Sequence, residues 1–502
     1  MIEIKKCGVA FNIMGQTKSR LRSFKKGRLS SKTYDDEKLD KFEANEYIWK
    51  NYTITDELGG NAELEEEVLA KYSSKFNADP KNKLALNAIC NDDMSKVLIN
   101  RDATIKDVHV FSEKIQLEGK ATNQKSSGRC WLFAATNVLR LLVMKKFKLE
   151  DFELSQPFLF FYDKLEKANF FLENMIKLAD EDVDSRIIQY LIGAPVNDGG
   201  QWDMVINLLE KYGVVPKCAY PESYNSSNSS KLNWIVTTKL REFAYQLREM
   251  HASGKSIEVL RHAKTQMMEE VYRMIAISLG EPPKLFNWTF RDKDGKYREF
   301  LGLTPKQFYK EFVNYKATET FSLVNDPRNP YLRLYTIEFL GNIQNGLPIR
   351  YVNIPIETMK QLTLQTLRSG KPVWFGADVG KSSDSSLGIL DNKIIDYELG
   401  FNIKFVMTKA QRLQYTQSAM THAMVFTGVH IENDKPIRWR VENSWGDDRG
   451  EKGYFVMADN WFDDWVYQIV LEKKDTPSEY VDVLDQAPHV LPAWDPMGAL
   501  AV

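Results

Sequence analysis

The chain has 502 residues, 43% apolar, 27% charged and 12% aromatic, a globular composition long enough to bury a large core in one elaborated domain or about three. Lysine and arginine (67) balance aspartate and glutamate (68) to a net charge of −1, so no global basic field recruits nucleic acid and no acidic excess marks a solvating chain. Four cysteines without paired spacing exclude a disulfide framework and a CxxC zinc site and point to a reducing compartment, and no apolar run reaches the roughly 18 residues that a membrane helix needs.

Residues 1–35 read as a basic tail. Lys5, Lys6, Lys18, Arg20, Arg22, Lys25, Lys26, Arg28 and Lys32 face only Glu3 within the first 32 residues, which predicts a solvated, disordered segment. Residues 7–14 are too short and polar for a signal-peptide core, while the acid-poor composition also suits a mitochondrial presequence. If translation starts at Met14, the run from Gly15 to Ser19 fits the N-myristoylation pattern, and the polybasic run after it would add a second signal for membrane association.

Residues 36–74 carry a helical pattern broken near Gly59-Gly60. Thr122 to Gly128 is a polar turn leading into a buried helix expected from Cys130 to Lys148. Residues 154–179, 185–192 and 201–212 also show helical periodicity, and the aromatic run Phe158–Tyr162 reads as helix core. Asn225–Ser230 (NSSNSS) reads as a low-complexity loop and 231–280 as charged helix. After Gly370 the pattern changes to strands near 371–376, 423–429, 437–442 and 453–457, between glycine turns. Helices in front and strands behind predict an α+β fold.

Chemistry concentrates in three segments. In Gln124-Lys-Ser-Ser-Gly-Arg-Cys130-Trp131 the thiol opens a helix, where the macrodipole favours thiolate. Gly128 lets a substrate approach the backbone, and the Gln124 amide with the Cys130 N–H could hold an oxyanion. His422, at the head of a strand, could pair with the thiolate and protonate a leaving amine. Asn443 could orient that imidazole, with Trp445 screening their bond from water. Taken singly, each has a blander reading: a core cysteine, a structural histidine, a turn asparagine. Gly254-Lys255-Ser256 is not a P-loop, because Glu249 stands where its first glycine belongs. His109, His251, His262, His430 and His489 form no metal-ligand spacing, and Cys7, Cys90 and Cys218 read as structural or incidental.

The strings QKSSGRCW, THAM and VENSWG resemble those of papain-like cysteine peptidases. The longer strings NQKSSGRCWLFAATN, FELSQPFLFFYDKLEKANFFL, DSRIIQYL, DGGQWDM, RVENSWGD and LPAWDPMGALA are similar to the bleomycin hydrolase family over about residues 36–502. Two departures stand out. Arg129 and Lys125 depart from the short papain signature, and His422 follows Cys130 by 292 residues, about twice the usual gap. The resemblance implies Cys130 as nucleophile, His422 as general acid and base, Asn443 as orienter and Gln124 as oxyanion donor. It further implies substrate contacts at Gly199, Gly200, Trp445, Ala501 and Val502, and no metal or cofactor. The implied architecture is a two-lobed papain-like fold: a helical lobe (about 120–225), a helical insertion (226–345), a strand-rich lobe (346–484) and a C-terminal arm (485–502) lying in the cleft. The implied activity is aminopeptidase action on short peptides, on amide analogues such as bleomycin and on homocysteine thiolactone, in a cytoplasmic homohexamer. Some members of the family bind single-stranded nucleic acid, a secondary role to which the basic tail could add phosphate contacts.

Overall fold

The computed structural model describes residues 62–499. The expectations for the tail, for the helical pattern before residue 62, and for Ala501 and Val502 lie outside the described residues. In front stand two short helices, Glu66–Ala78 and Pro80–Ile89, the second capped by Asp79, whose carboxylate accepts from the Lys81 N–H (2.9 Å).

The helix Cys130–Phe147 is apolar nearly all round, and it is buried nearly all round. It ends at Lys148, which turns left-handed (φ 53°) and returns its N–H to the Met144 carbonyl. Next comes Gln156–Lys177, started by the Ser155 hydroxyl on the Phe158 N–H and by Pro157 in the first turn. Ser230–Ala252 and Ile257–Leu279 pack against this helix, joined through a turn at Gly254, and Arg261 and Lys264 pair with its Glu173. The NSSNSS segment is not a plain loop. Residues Tyr224–Ser227 form one helical turn, because Ser223 and Ser226 cap each other reciprocally, and Ser230 already belongs to the next helix.

The segment read as a helical insertion, 226–345, has its long helices in its first half, and its second half adds strands and short turns of helix from Pro305 to Glu319. Phe286–Arg291 and Tyr297–Leu303 form an antiparallel hairpin about Gly295. One face of the hairpin is aromatic: Trp288, Phe290 and Phe300 gather around Phe147 at the end of the Cys130 helix, with Phe147 and Trp288 edge to face at 5.3 Å. Thr320–Val324 and Leu334–Ile337 then join the main sheet.

That sheet runs in the order His489–Leu491, Leu334–Ile337, Tyr351–Asn353, Thr320–Val324, Val466–Glu472, Val373–Ala377, His422–Glu432, Lys435–Glu442, Tyr454–Ala458, Ile389–Leu390, Ser383–Asp384, with Glu113–Lys114 pairing His422–Glu432 from the side. Mixed pairing of this kind, with helices grouped ahead of it in the chain, is α+β architecture. The Cys130 helix is tied to the sheet by a buried ion pair between Arg140 and Glu442, 1% and 2% exposed. A Cβ on Gly119 would lie 2.5 Å from the guanidinium carbon of Arg140, so a side chain there would have to displace the paired guanidinium. Removing one partner strands the other charge without water. Arg140→Met is therefore expected to cost about 3–5 kcal/mol of stability, and Arg140→Met/Glu442→Gln to recover part of it. Denaturant midpoints check this; a loss below about 1 kcal/mol in the single variant would contradict the assignment.

Candidate active site

The turn before the Cys130 helix is fastened at three points. Gln124 N–H donates to the Ser444 carbonyl (2.8 Å), Ser126 N–H to the Ser227 carbonyl (2.9 Å) and Gly128 N–H to Asp198 Oδ2 (2.9 Å). Cys130 then opens the helix, so its own N–H and that of Trp131 have no intrahelical acceptor. Both point toward Cys130 Sγ, and so does the Ala423 N–H, which places the sulfur beside the head of the His422 strand.

Two strand registers bring His422 and Asn443 together. His422 pairs with Ala377 on one side, and Val425 pairs with Glu442 on the other, which sets Asn443 just past the end of the neighbouring strand. Asn443 Oδ1 accepts from the Ser444 N–H (2.8 Å) and lies 2.8 Å from His422 Nε2. The first bond identifies that atom as oxygen. His422 Nε2 must then carry the proton, and Nδ1 keeps its lone pair free. The Trp445 ring lies 4.8 Å from the imidazole. The Gln124 amide is held at both ends: Oε1 accepts from Ser444 Oγ (2.7 Å) and Nε2 donates to the Ser127 carbonyl (2.7 Å). Its second N–H meets no acceptor among the described residues.

Burial opposes one expectation. A helix N-terminus beside a histidine was expected to lower the thiol pKa. Instead, burial pushes Cys130 up to about 12, against the pull of the three N–H groups. Burial likewise pushes His422 down to about 4, which the Asn443 hydrogen bond only partly offsets. In this geometry burial favours the uncharged form of each group. If His422 must be neutral to accept the thiol proton, activity is retained as pH falls through the ordinary imidazole range near 6.5. The acid limb of kcat/KM is then expected near pH 4. A limb centred near 6.5 would mean that His422 is solvated in the working enzyme.

Gly199 and Gly200 lie against this centre. The Asp198 carbonyl accepts from Trp131 Nε1 (2.7 Å), and a Cβ on Gly200 would sit 2.6 Å from the Trp131 ring. Lys167 holds the Gly199 carbonyl, whereas neither the N–H nor the carbonyl of Gly200 has a protein partner among the described residues. Gln201 Nε2 donates to the Ala499 carbonyl (2.9 Å), so the C-terminal arm reaches the residue beside Gly200. Upstream, Arg328 binds Asp495, the Arg186 guanidinium lies 4.0 Å over the Trp494 ring, and Met497 is buried. Sequence reasoning had not singled out Ser444, Asp198 or Gln201. The last two flank the glycines within DGGQWDM, and Ser444 follows Asn443 directly. A buried thiol, a proton acceptor of fixed tautomer and convergent unpaired N–H groups are the parts that acyl transfer needs. Among the described residues no helix is long and apolar enough to cross a membrane.

Comparisons with known proteins agree with this chemistry. The sequence model of the Peptidase C1-like family matches residues 63–498. Bleomycin hydrolase of Rattus norvegicus is 45% identical over 88% of this chain and 100% of its own length. Aminopeptidase C of Streptococcus thermophilus is 43% identical over 87% of this chain and 99% of its own. The crystal structure of PepW from Lactobacillus rhamnosis HN001 superposes with a TM-score of 0.86 at 45% identity, covering 88% of this chain and 100% of that one. The chain belongs to the Peptidase C1-like family, within which it is a papain-like cysteine aminopeptidase of the bleomycin hydrolase and aminopeptidase C group.

Proposed function

We propose that this aminopeptidase releases N-terminal residues from short peptides through an acyl-enzyme on Cys130. The observation that carries the reading is the chain Asn443 Oδ1 to His422 Nε2 at 2.8 Å, with the Ala423 N–H beside it on the sulfur. His422 Nδ1 takes the thiol proton as sulfur attacks the amide carbon. The Cys130 N–H and the free Gln124 N–H take the oxyanion. Imidazolium then protonates the leaving amine, and a thioester remains. Water, deprotonated by His422, attacks that thioester and releases the acid and the thiol. Asn443 keeps the imidazole in one tautomer throughout, and Trp445 covers their bond. The open backbone edge of Gly200 is the place for the substrate chain.

The same chemistry accepts any small acyl donor with a free α-amine, which is why we include bleomycin-like amides and homocysteine thiolactone, whose ring opens by the same attack. The family resemblance supports a cytoplasmic homohexamer. The test is hydrolysis of paired fluorogenic aminoacyl amides, one with a free amine and one N-acetylated. Cleavage of the free-amine member only is expected; turnover of neither, or of both equally, would overturn the reading.

A further inference from the structure

Two lysines of the Gln156–Lys177 helix are buried beside the site and take no part in the reaction described above. The Lys164 side chain is 0% exposed and that of Lys167 6%. Burying an ammonium is costly unless it is paired and hydrogen-bonded, and both are. Lys164 Nζ lies 2.6 Å from Asp198 Oδ1 and donates to the Asn197 carbonyl (2.8 Å). Lys167 Nζ lies 2.7 Å from Asp163 Oδ2 and donates to the carbonyls of Asn197 (3.2 Å) and Gly199. Two cations and two carboxylates close as a neutral quartet.

The quartet grips backbone on both sides of the thiol. Asp198 takes four donors: Lys164, Asn233 Nδ2 (2.7 Å), Ser229 Oγ and the Gly128 N–H (2.9 Å). Burial disfavours charge on Lys164 and on Asp198 alike, yet the converging donors hold Asp198 below the usual carboxylate range. A protonated carboxyl would set a proton against one of those donors, so the ionised form is the one that fits. Through Gly128 the carboxylate fixes the chain two residues before Cys130. Through its carbonyl the same residue fixes the indole of Trp131, and the Gly200 backbone rests on that ring. Lys167 turns the Gly199 carbonyl into the protein, while the groups of Gly200 stay unpaired.

We propose that Lys164, Lys167 and Asp198 are positioning residues that lock the Asn197–Gly200 backbone, so that the Gly200 edge is held in register with Cys130 when a substrate chain docks. This rests on reading Cys130 as the nucleophile and Gly200 as the substrate edge. None of the three touches the reacting atoms. The effect of Lys167 should therefore fall on substrate alignment and not on the sulfur, which of the three only the Asp198 charge reaches.

The experiment compares two readouts in the full-length enzyme: kcat and KM for a free-amine aminoacyl amide, and the alkylation rate of Cys130 by iodoacetamide, followed by peptide mapping. Lys167→Met strands the buried Asp163, so Asp163→Asn/Lys167→Met is made beside it to remove the charge pair together. Both variants are expected to lose about 10²-fold in kcat/KM, the scale of a misplacement near 1 Å, with Cys130 alkylation within twofold of wild type. Lys167→Arg, which keeps the charge and the donors, should recover most of the loss. Unchanged kcat/KM in the double variant, or a parallel fall in alkylation, would overturn the proposal, because the network would then be either idle or a general support of the fold. Cys130→Ala separates the two layers. If it is inactive while the lysine variants are not impaired, the site stands and the positioning role falls. If Cys130→Ala keeps wild-type activity, the reading of the site itself has failed.

Discussion

Replacing Cys130 by Ala is expected to lower hydrolysis of a free-amine aminoacyl amide by at least about 10⁴-fold and to leave the fold in place. The side chain is 1% exposed and contributes one sulfur to the core. Its loss opens a space smaller than a large-to-small aliphatic change, worth about 1 kcal/mol. Among the described residues no second thiol stands by to replace it, since Cys90 and Cys218 are exposed. The N–H groups at 130, 131 and 423 remain, as does the His422–Asn443 bond, so the variant should still bind substrate while lacking the atom that attacks. Activity is read by fluorescence release, and integrity by the denaturation midpoint. A variant that keeps a tenth of wild-type turnover would place the nucleophile at another residue.

The parts of this site differ in how far local sequence reveals them. The helix from Cys130, the strand headed by His422 and the strand before Asn443 follow from runs of apolar residues and from glycine turns, and those patterns depend on neighbours in the chain. The hairpin at Phe286–Leu303 was readable in principle, since Asp294-Gly295 is a turn signal between aromatic-rich runs. The helical reading of this stretch came from the implied family insertion, while the residue pattern was read as helix only over 231–280. The lysine quartet was hidden for a deeper reason. In YDKLEKANFF, Asp163 and Lys167 stand four apart like an ordinary solvated pair. Only the tertiary fold turns that face inward, onto the carbonyls of residues 197 and 199. The burial around Cys130 was hidden for the same reason. A helix N-terminus and a histidine can be read locally, but the burial that outweighs them comes from strands that lie some 300 residues later in the chain.

Ending the chain at Gly498 is expected to turn an aminopeptidase into an enzyme that tolerates blocked substrates. The arm is seated in steps along one side of the site: His489–Leu491 pairs in parallel with Leu334–Ile337, Arg328 clamps Asp495 to Asp326, Met497 is buried, and Gln201 takes the Ala499 carbonyl. Gln201 directly follows the open Gly200 edge. If the substrate chain runs N-terminally along that edge, as proposed, it would meet the arm, and only a residue with nothing before it would fit. This is discrimination by a clash against the wrong ligand, added to whatever attracts the right one. Shortening the chain should leave Cys130 reactive and narrow the ratio of kcat/KM between free-amine and N-acetylated substrates by at least about tenfold, or about 1.4 kcal/mol. Gln201→Ala, which releases only the last clasp, should move the ratio in the same direction by less. If the shortened enzyme rejects N-acetylated substrates as strictly as the full chain does, the arm is not the selector. The wall would then have to be the segment from Gly199 to Gln201, which the Lys167 and Trp131 contacts hold against the site whether or not the arm is present.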